Sequence, residues 1–510
     1  MNESVSQTKA EAAIDKEIGT KREQLDFSVM LPEENVSKIL SASASVSIEN
    51  FEALLGEVSF SGEACLNIVY SLEDGTISNH KMCQDFSGKF ENIAFDPSSL
   101  VRIIPNVLDV SIEKGVGNSI KVKISLENSF SIVKNQEIGL YSNTDDSIFV
   151  KESQIELLRH SKRNCYNFVQ NSVFETKLPV GKILNVTGSV VVNKADALDG
   201  IVVFEGETIT KLLYATEDDR PLLVSLVNKD MFREEVEDEN SARENIVEGY
   251  ACVANKDIEE TVNAENKTIE ISVPVKICYD LFEMNGAVVC DDAYSTEKEI
   301  NLTTEAFIST ELVKTEVFDN KIDGNVTLDE DTLRIDKILA VDGAYLTPQV
   351  ETYQNGELQS EGLIHLNIIY LNDEEENVNS VSIEIPYAFK EKVGEDDNLR
   401  VRTNSQIIEI DATAKRGRDI YVDGKIKTQV WLLKDKENAV VSEIVEGEKY
   451  AERDSAIEIY FAEEGKTFWD VAKELHVSED ELKEQNKEIV EPFAAPEKIV
   501  FFEQYKVDMD

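Results

Sequence analysis

Three stretches decide the fold: Gly62-Glu63-Ala64-Cys65-Leu66-Asn67-Ile68-Val69-Tyr70, Gly206-Glu207-Thr208-Ile209-Thr210-Lys211-Leu212-Leu213-Tyr214 and Gly362-Leu363-Ile364-His365-Leu366-Asn367-Ile368-Ile369-Tyr370. In the first, alternation puts Ala64, Leu66, Ile68 and Tyr70 on one face. In the third, Ile364, Leu366, Ile368 and Tyr370 do the same, with His365 and Asn367 opposite. A two-residue period sustained this long is the signature of a strand with one buried face. The second copy carries Thr208 and Thr210 beside Leu212 and Tyr214, while Ile209 and Leu213 point the other way, as a strand covered on both sides requires.

Outward from these strands the chain repeats a longer pattern. Lys38-Ile39-Leu40, Lys182-Ile183-Leu184 and Lys337-Ile338-Leu339 precede the glycines, with 22, 22 and 23 residues from leucine to glycine. An aromatic follows each tyrosine at Phe86, Phe232 and Phe389, and alternating runs at 120–124, 269–273 and 419–422 close each copy. The glycines lie 144 and 156 residues apart, too far for a stacked solenoid. The pattern predicts a mainly β chain of three tandem β-sandwich or barrel-like domains, over 25–140, 165–285 and 305–435. The segments 152–167, 291–304 and 437–454 read as helix-permissive or polar connections. None is rich in Pro, Gly or Ser, so restricted domain motion is expected.

The last sixty residues differ in kind. Ile457-Glu458-Ile459-Tyr460-Phe461 reads as a short strand ended by Glu464-Gly465. Thr467 caps a helix whose apolar positions Phe468, Val471, Ala472 and Leu475 share one face. Ser478 with Glu481 three residues on marks a second helix start, reaching about Asn486, and Ile499-Val500-Phe501-Phe502 returns as a strand. The expectation is a small α+β (βααβ) domain over 455–505.

The residues Gly465-Lys466-Thr467-Phe468-Trp469-Asp470-Val471-Ala472 and Val477-Ser478 through Leu482 to Asn486 resemble the LysM domain, whose pattern runs Gly-Asp-Thr-Leu-Trp-x-Ile-Ala, then Val-Ser-x-x-x-Leu-x-x-x-Asn. Lys466 departs from the usual Asp, and the stretch from Pro492 to Pro496 from the usual Gly-Gln turn. The resemblance covers about a tenth of the chain. Leu31-Pro32-Glu33-Glu34-Asn35-Val36-Ser37-Lys38-Ile39-Leu40, with Ser61-Gly62-Glu63 and Tyr70, is similar to the opening of the SPOCS domain of sporulation proteins. The second copy keeps Leu178-Pro179-Val180, and the third has lost the proline. Three SPOCS domains and one LysM domain resemble the clostridial SipL-type family of spore coat morphogenetic proteins. That resemblance implies a chain made in the mother-cell cytoplasm, located at the forespore surface and later in the coat, whose LysM domain binds the morphogenetic ATPase SpoIVA. Other coat proteins and peptidoglycan are further candidate partners. On the LysM helix starts and the turn before the last strand, the candidate partner-binding residues are Lys466, Thr467, Phe468, Trp469, Asn486, Ile489, Pro492 and Phe493.

Composition narrows the function. With 51 Lys and Arg against 100 Asp and Glu, the 510-residue chain carries a formal charge of −49, which repels nucleic-acid phosphates and anionic lipid. Nowhere do eighteen apolar residues run together, and the first residues lack the apolar core of a secretory signal, so neither a membrane span nor export is expected. The six cysteines form no CxxC pair and are expected to be buried thiols. Among His80, His160, His365 and His476 no two stand at metal-ligand spacing, so no metal or cofactor is expected. Gly465-Lys466-Thr467 lacks the glycine a phosphate loop needs at position 461, where Phe461 stands. Asp196, Asp199 and Gly200 lack the remaining ligands of a calcium loop and read as a hairpin turn.

Two function classes stand. In one, the chain is a non-catalytic scaffold whose last domain holds a protein. In the other, that domain binds N-acetylglucosamine polymers of cortex or wall. Residues 451–510 carry 17 acidic and 7 basic side chains, which suits a basic protein face better than a neutral glycan.

Overall fold

In the computed structural model each of the three Gly-to-Tyr stretches is the middle strand of a three-stranded antiparallel sheet. The structure describes residues 8–502 apart from 116–117, 142–144, 146, 219–221, 266, 373–377, 395–398, 416 and 452–456. The sheets are β2 (Val36–Leu54), β3 (Glu57–Leu72) and β4 (Ile77–Glu91); β8 (Val180–Leu198), β9 (Ile201–Thr216) and β10 (Leu223–Glu237); and β15 (Ile335–Gln354), β16 (Glu357–Asn372) and β17 (Val378–Lys392). A second sheet packs on each. β6 (Ser119–Leu140) lies between β1 (Thr8–Met30) and β5 (Leu100–Lys114). β13 (Thr268–Ser295) lies between β7 (Ile148–Glu175) and the pair β11 (Ile246–Val253) and β12 (Glu259–Asn263). β19 (Asp419–Lys449) lies between β14 (Lys298–Thr327) and β18 (Leu399–Lys415). The chain is therefore mainly β, and the same strand order occurs three times.

The cores follow from the alternation. Leu66, Ile68 and Tyr70 meet Val122 and Ile124; Leu212 and Tyr214 meet Ile271 and Val273; Ile368 and Tyr370 meet Ile420 and Val422. Tyr70, Tyr214 and Tyr370 are fully buried. The repeated glycine has a steric cause. A Cβ at Gly62 would lie 2.2 Å from the Ser47 carbonyl oxygen and against the Phe86 ring, at Gly206 2.3 Å from the Val191 oxygen and against Phe232, and at Gly362 2.4 Å from the Thr347 oxygen and against Tyr387. An aromatic covers a cross-strand glycine in each copy. In the third copy that ring is Tyr387, the partner of Gly362. The expected Phe389 sits one pleat further along, opposite Ser360.

The Ile-Leu pair marks a β-bulge. Pairing jumps from Ile39 to Ser41, from Ile183 to Asn185 and from Ile338 to Ala340, leaving the leucine as the extra residue each time. A bulge re-aims the side chain it carries. Leu40 and Leu184, turned out of their own sandwiches, join Val69, Leu213, Ala340 and Ile369 in one apolar cluster drawn from all three copies, with Leu339 packed against it.

The segments 152–167 and 437–449 are strand, not helix-permissive connection. β7 pairs with β13 along its whole length, and β19 pairs with β14 as far as Lys449. Pairing with a partner more than a hundred residues away overrides local propensity. These ribbons and the ribbon of β1 and β6 meet beyond the sandwiches, where Ala12, Ile138, Leu157, Val289, Phe307 and Val440 are buried together.

Two cysteine pairs also depart from expectation. Cys65 faces Cys83 across β3 and β4, Cys165 faces Cys278 across β7 and β13, and both pairs are disulfides; Cys252 and Cys290 are free. Sequence spacing hid them because strand register, not local proximity, brings the sulfurs together.

The last part is built from β20 (Ile457–Ala462), α1 (Phe468–Leu475), α2 (Glu479–Gln485) and β21 (Glu497–Phe502), with β20 antiparallel to β21. Among the described residues no helix is long and apolar enough to cross a membrane.

Candidate functional site

The module of β20, α1, α2 and β21 is held by its caps. The Thr467 hydroxyl accepts from the Asp470 amide at 3.3 Å, and the Asp470 carboxylate accepts from the Thr467 amide at 2.8 Å, a reciprocal capping box. Ser478 caps α2 by accepting from the Glu481 amide. Phe468, Val471, Ala472, Leu482, Phe493, Ile499 and Phe501 form the core beneath.

The sequence-selected residues fall into three groups. Thr467, Phe468, Asn486, Ile489 and Phe493 hold the module together. Phe468 and Phe493 are buried and meet edge to face at 5.2 Å, and Ile489 packs on the same core. The Asn486 side-chain amide donates to the Leu482 and Val500 carbonyls at 2.8 and 2.7 Å and its oxygen accepts from the Val500 amide at 3.0 Å, pinning α2 to β21. Lys466 and Pro492 are at the surface. The Lys466 ammonium donates to Glu474 at 2.7 Å and to the Tyr460 hydroxyl at 2.8 Å, and these bonds raise its pKa. Pro492 is exposed in the turn before β21.

Trp469 stands apart, because it faces the β body. It is 7% exposed and meets the Tyr294 ring edge to face at 4.9 Å, and Tyr294 stacks on Phe149 at 5.2 Å. Its indole N–H donates to Asp292 at 2.9 Å, and Lys473 one turn later donates to the other oxygen of the same carboxylate at 2.6 Å. Burial pushes the Asp292 carboxyl up, yet the bonds from Lys473 and Trp469 outweigh it and its pKa is lowered. The Tyr294 hydroxyl donates to the Val477 carbonyl at 2.8 Å. α1 thus carries an anchor that ties the module to the ends of β7 and β13.

A second constellation lies where the three copies meet. Arg102 on β5 donates to Asp280 on β13 at 2.7 and 3.0 Å, to Asp15 on β1 at 2.9 Å and to Glu248 on β11 at 2.8 Å. Arg402 on β18 pairs with the same Asp15 and Glu248, and Arg163 and His160 on β7 both reach Asp280. Burial alone pushes the Asp15 carboxyl up, but Arg402 and Arg102 hold it at about 2. Asp280 is likewise held well below the usual range by Arg102, His160 and Arg163 against its burial. Each carboxylate here has a cationic partner, so the group acts as a clamp between copies. Sequence reading missed it, although a signal existed: Val101-Arg102 and Val401-Arg402 stand 300 residues apart, the interval that separates Tyr70 from Tyr370.

A cavity of about 470 Å³ is also lined from all three copies, with Ser43, Asn185, Lys211, Asp342, Gln406 and Asp411 on its walls. Asn185 donates to Asp342 at 2.8 Å and to Ser43 at 2.9 Å, Ser41 donates to Asp342 at 2.6 Å, and Lys211 donates to the Ile407 carbonyl at 3.2 Å. These bonds cross between copies and tie the walls of the cavity together. Glu63, Cys65 and Cys83 lie close enough to hold a metal, but both sulfurs are spent in a disulfide. Asp196 pairs with Lys194 at the start of the β8–β9 hairpin, whose turn is made by Asp199 and Gly200. No protein-family model, curated protein or solved structure matches the chain.

Proposed function

We propose that the chain is a non-catalytic scaffold of the spore coat, binding the morphogenetic ATPase SpoIVA through a LysM domain at 455–505 and tying the forming coat to the forespore surface. The observation that carries the reading is the strand–helix–helix–strand module with its Thr467 and Ser478 caps and its Asn486 clasp, at the positions where the LysM pattern has them. Three SPOCS-like β domains serve as its frame. Their shared apolar cluster and buried ion clamp favour a stiff support over beads on a string. The reading puts the chain in the mother cell first and in the coat later, with other coat proteins as further partners. The two disulfides suit a layer that ends up exposed to oxidant.

The competing reading, peptidoglycan binding, draws on the same module, since LysM domains generally take N-acetylglucosamine polymers. The acidic charge of residues 451–510 favours a protein. The test is deletion of residues 452–510 followed by co-purification from sporulating cells, with circular dichroism to verify that the β body persists. Loss of the ATPase supports the scaffold. Retention of the ATPase with loss of peptidoglycan binding alone assigns the module to the wall.

A further inference from the structure

The outer face of the β20–β21 ribbon is apolar and open. Ile457, Ile459 and Phe461 alternate outward from β20 and are 56%, 51% and 75% exposed, while Phe502 on β21 is 47% exposed. Register makes this one strip: Ile457 stands opposite Phe502, Ile459 opposite Val500, and Phe461 opposite Lys498. Cross-strand neighbours of this kind have side chains in contact range. The inner face of the same ribbon is spent on the module core, where Ala462, Ile499 and Phe501 are buried. Trp469, the module's tryptophan, is spent on Asp292 and Tyr294. Solubility gains nothing from a contiguous row of five apolar side chains, and such patches mark interaction sites.

The chemistry of the occupant follows from what surrounds the strip. Its rings are phenylalanines, which have no polar group to bind sugar hydroxyls. Glu463 and Glu464 lie exposed just beyond Phe461, and residues 451–510 carry ten more acidic than basic side chains. Lys498 stands on the same face opposite Phe461, but a second copy would still bring a chain of formal charge −49 against itself.

We infer that this strip, Ile457, Ile459, Phe461, Val500 and Phe502, is the docking surface for a protein partner that presents apolar side chains ringed by Lys and Arg. The inference rests on the scaffold reading and specifies which face of the module does the binding: the ribbon's outer face, and not the α1 face that holds the body.

The experiment uses the full-length chain and Phe461→Glu and Ile459→Glu variants of it, with purified SpoIVA-type ATPase as the probe. Binding is measured by titration at low and high salt, melting temperature is recorded for each variant, and sedimentation of each chain alone gives its oligomeric state. Wild type binds, more weakly at high salt, and each variant loses at least tenfold in affinity with an unchanged melting temperature. Wild-type affinity in both variants overturns the surface and leaves the scaffold standing. No binding by wild type overturns both. If the chain alone dimerises and Phe461→Glu abolishes the dimer, a second copy covers the strip and the basic partner is wrong.

Discussion

Tyr70 and Tyr370 each bury a ring and give the hydroxyl a partner: Tyr70 donates to Glu33 and Tyr370 to the Leu333 carbonyl at 3.4 Å. Alanine at either position should therefore cost about 3–5 kcal/mol in chemical denaturation, and phenylalanine at Tyr70 only about 1 kcal/mol. Equal losses for the two Tyr70 variants would mean that the hydroxyl, not the ring, does the work. Lys211 makes a prediction of opposite sign. Burial in the central cavity lowers its pKa to about 8, although Asp342 and Asp411 pull it up. Between pH 8 and the ordinary lysine value of 10.5 the unfolded chain holds a proton that the folded chain has released, so the penalty for folding with this lysine is full at pH 7 and vanishes above 10.5. Lys211→Met should raise the melting temperature at pH 7, with the advantage shrinking as pH rises through that window. A pH-independent difference would contradict the assignment. The tyrosines and glycines were legible because alternation and spacing are local; Lys211 was not, because its burial depends on β18, two hundred residues away.

At the scale of the element, sequence revealed the strands that alternate and the caps that start helices. Thr467, Ser478 and the Gly62, Gly206 and Gly362 strands all lie where the pattern puts them. A further regularity went unread: Gly56, Gly200 and Gly356, each six residues before the repeated glycine, take the positive φ of the hairpin turn. What local pattern lacked was the partner of each long strand. The run 152–167 carries many charges because one side of a two-stranded ribbon faces water, and this imitates a helix-permissive connection. The same blindness hid the disulfides. The non-reduced, denatured chain should expose two titratable thiols, those of Cys252 and Cys290, and reduction should expose six. Because the Cys165–Cys278 link closes 113 residues, reducing it should lower stability by roughly 3–5 kcal/mol on the chain-entropy account. Six reactive thiols before reduction would restore the original expectation.

The whole molecule is three copies joined by a buried ion clamp, and that makes it sensitive to acid. Asp15 and Asp280 keep their protons off far below the unfolded carboxylate value near 4. As pH falls below that value the unfolded chain takes up protons that the folded chain refuses. The contribution of the clamp is present at neutral pH and is lost as pH drops toward 2. Melting temperature should fall steeply across this interval, and Arg102→Met, which takes one cation from Asp15, Asp280 and Glu248 and leaves Arg402, Arg163 and His160 to hold them, should cost about 3 kcal/mol at pH 7. The clamp and the common apolar cluster turn three similar units into a frame, and Trp469 and Asp292 fix the small module to it. Amide hydrogen exchange of the full-length chain, with and without the purified morphogenetic ATPase, tests that division of labour most directly. The account predicts that the ATPase adds protection over 457–502, strongest in β20 and β21, and leaves β3, β9 and β16 unchanged. Protection confined to the three β units, with 457–502 unaltered, would contradict it.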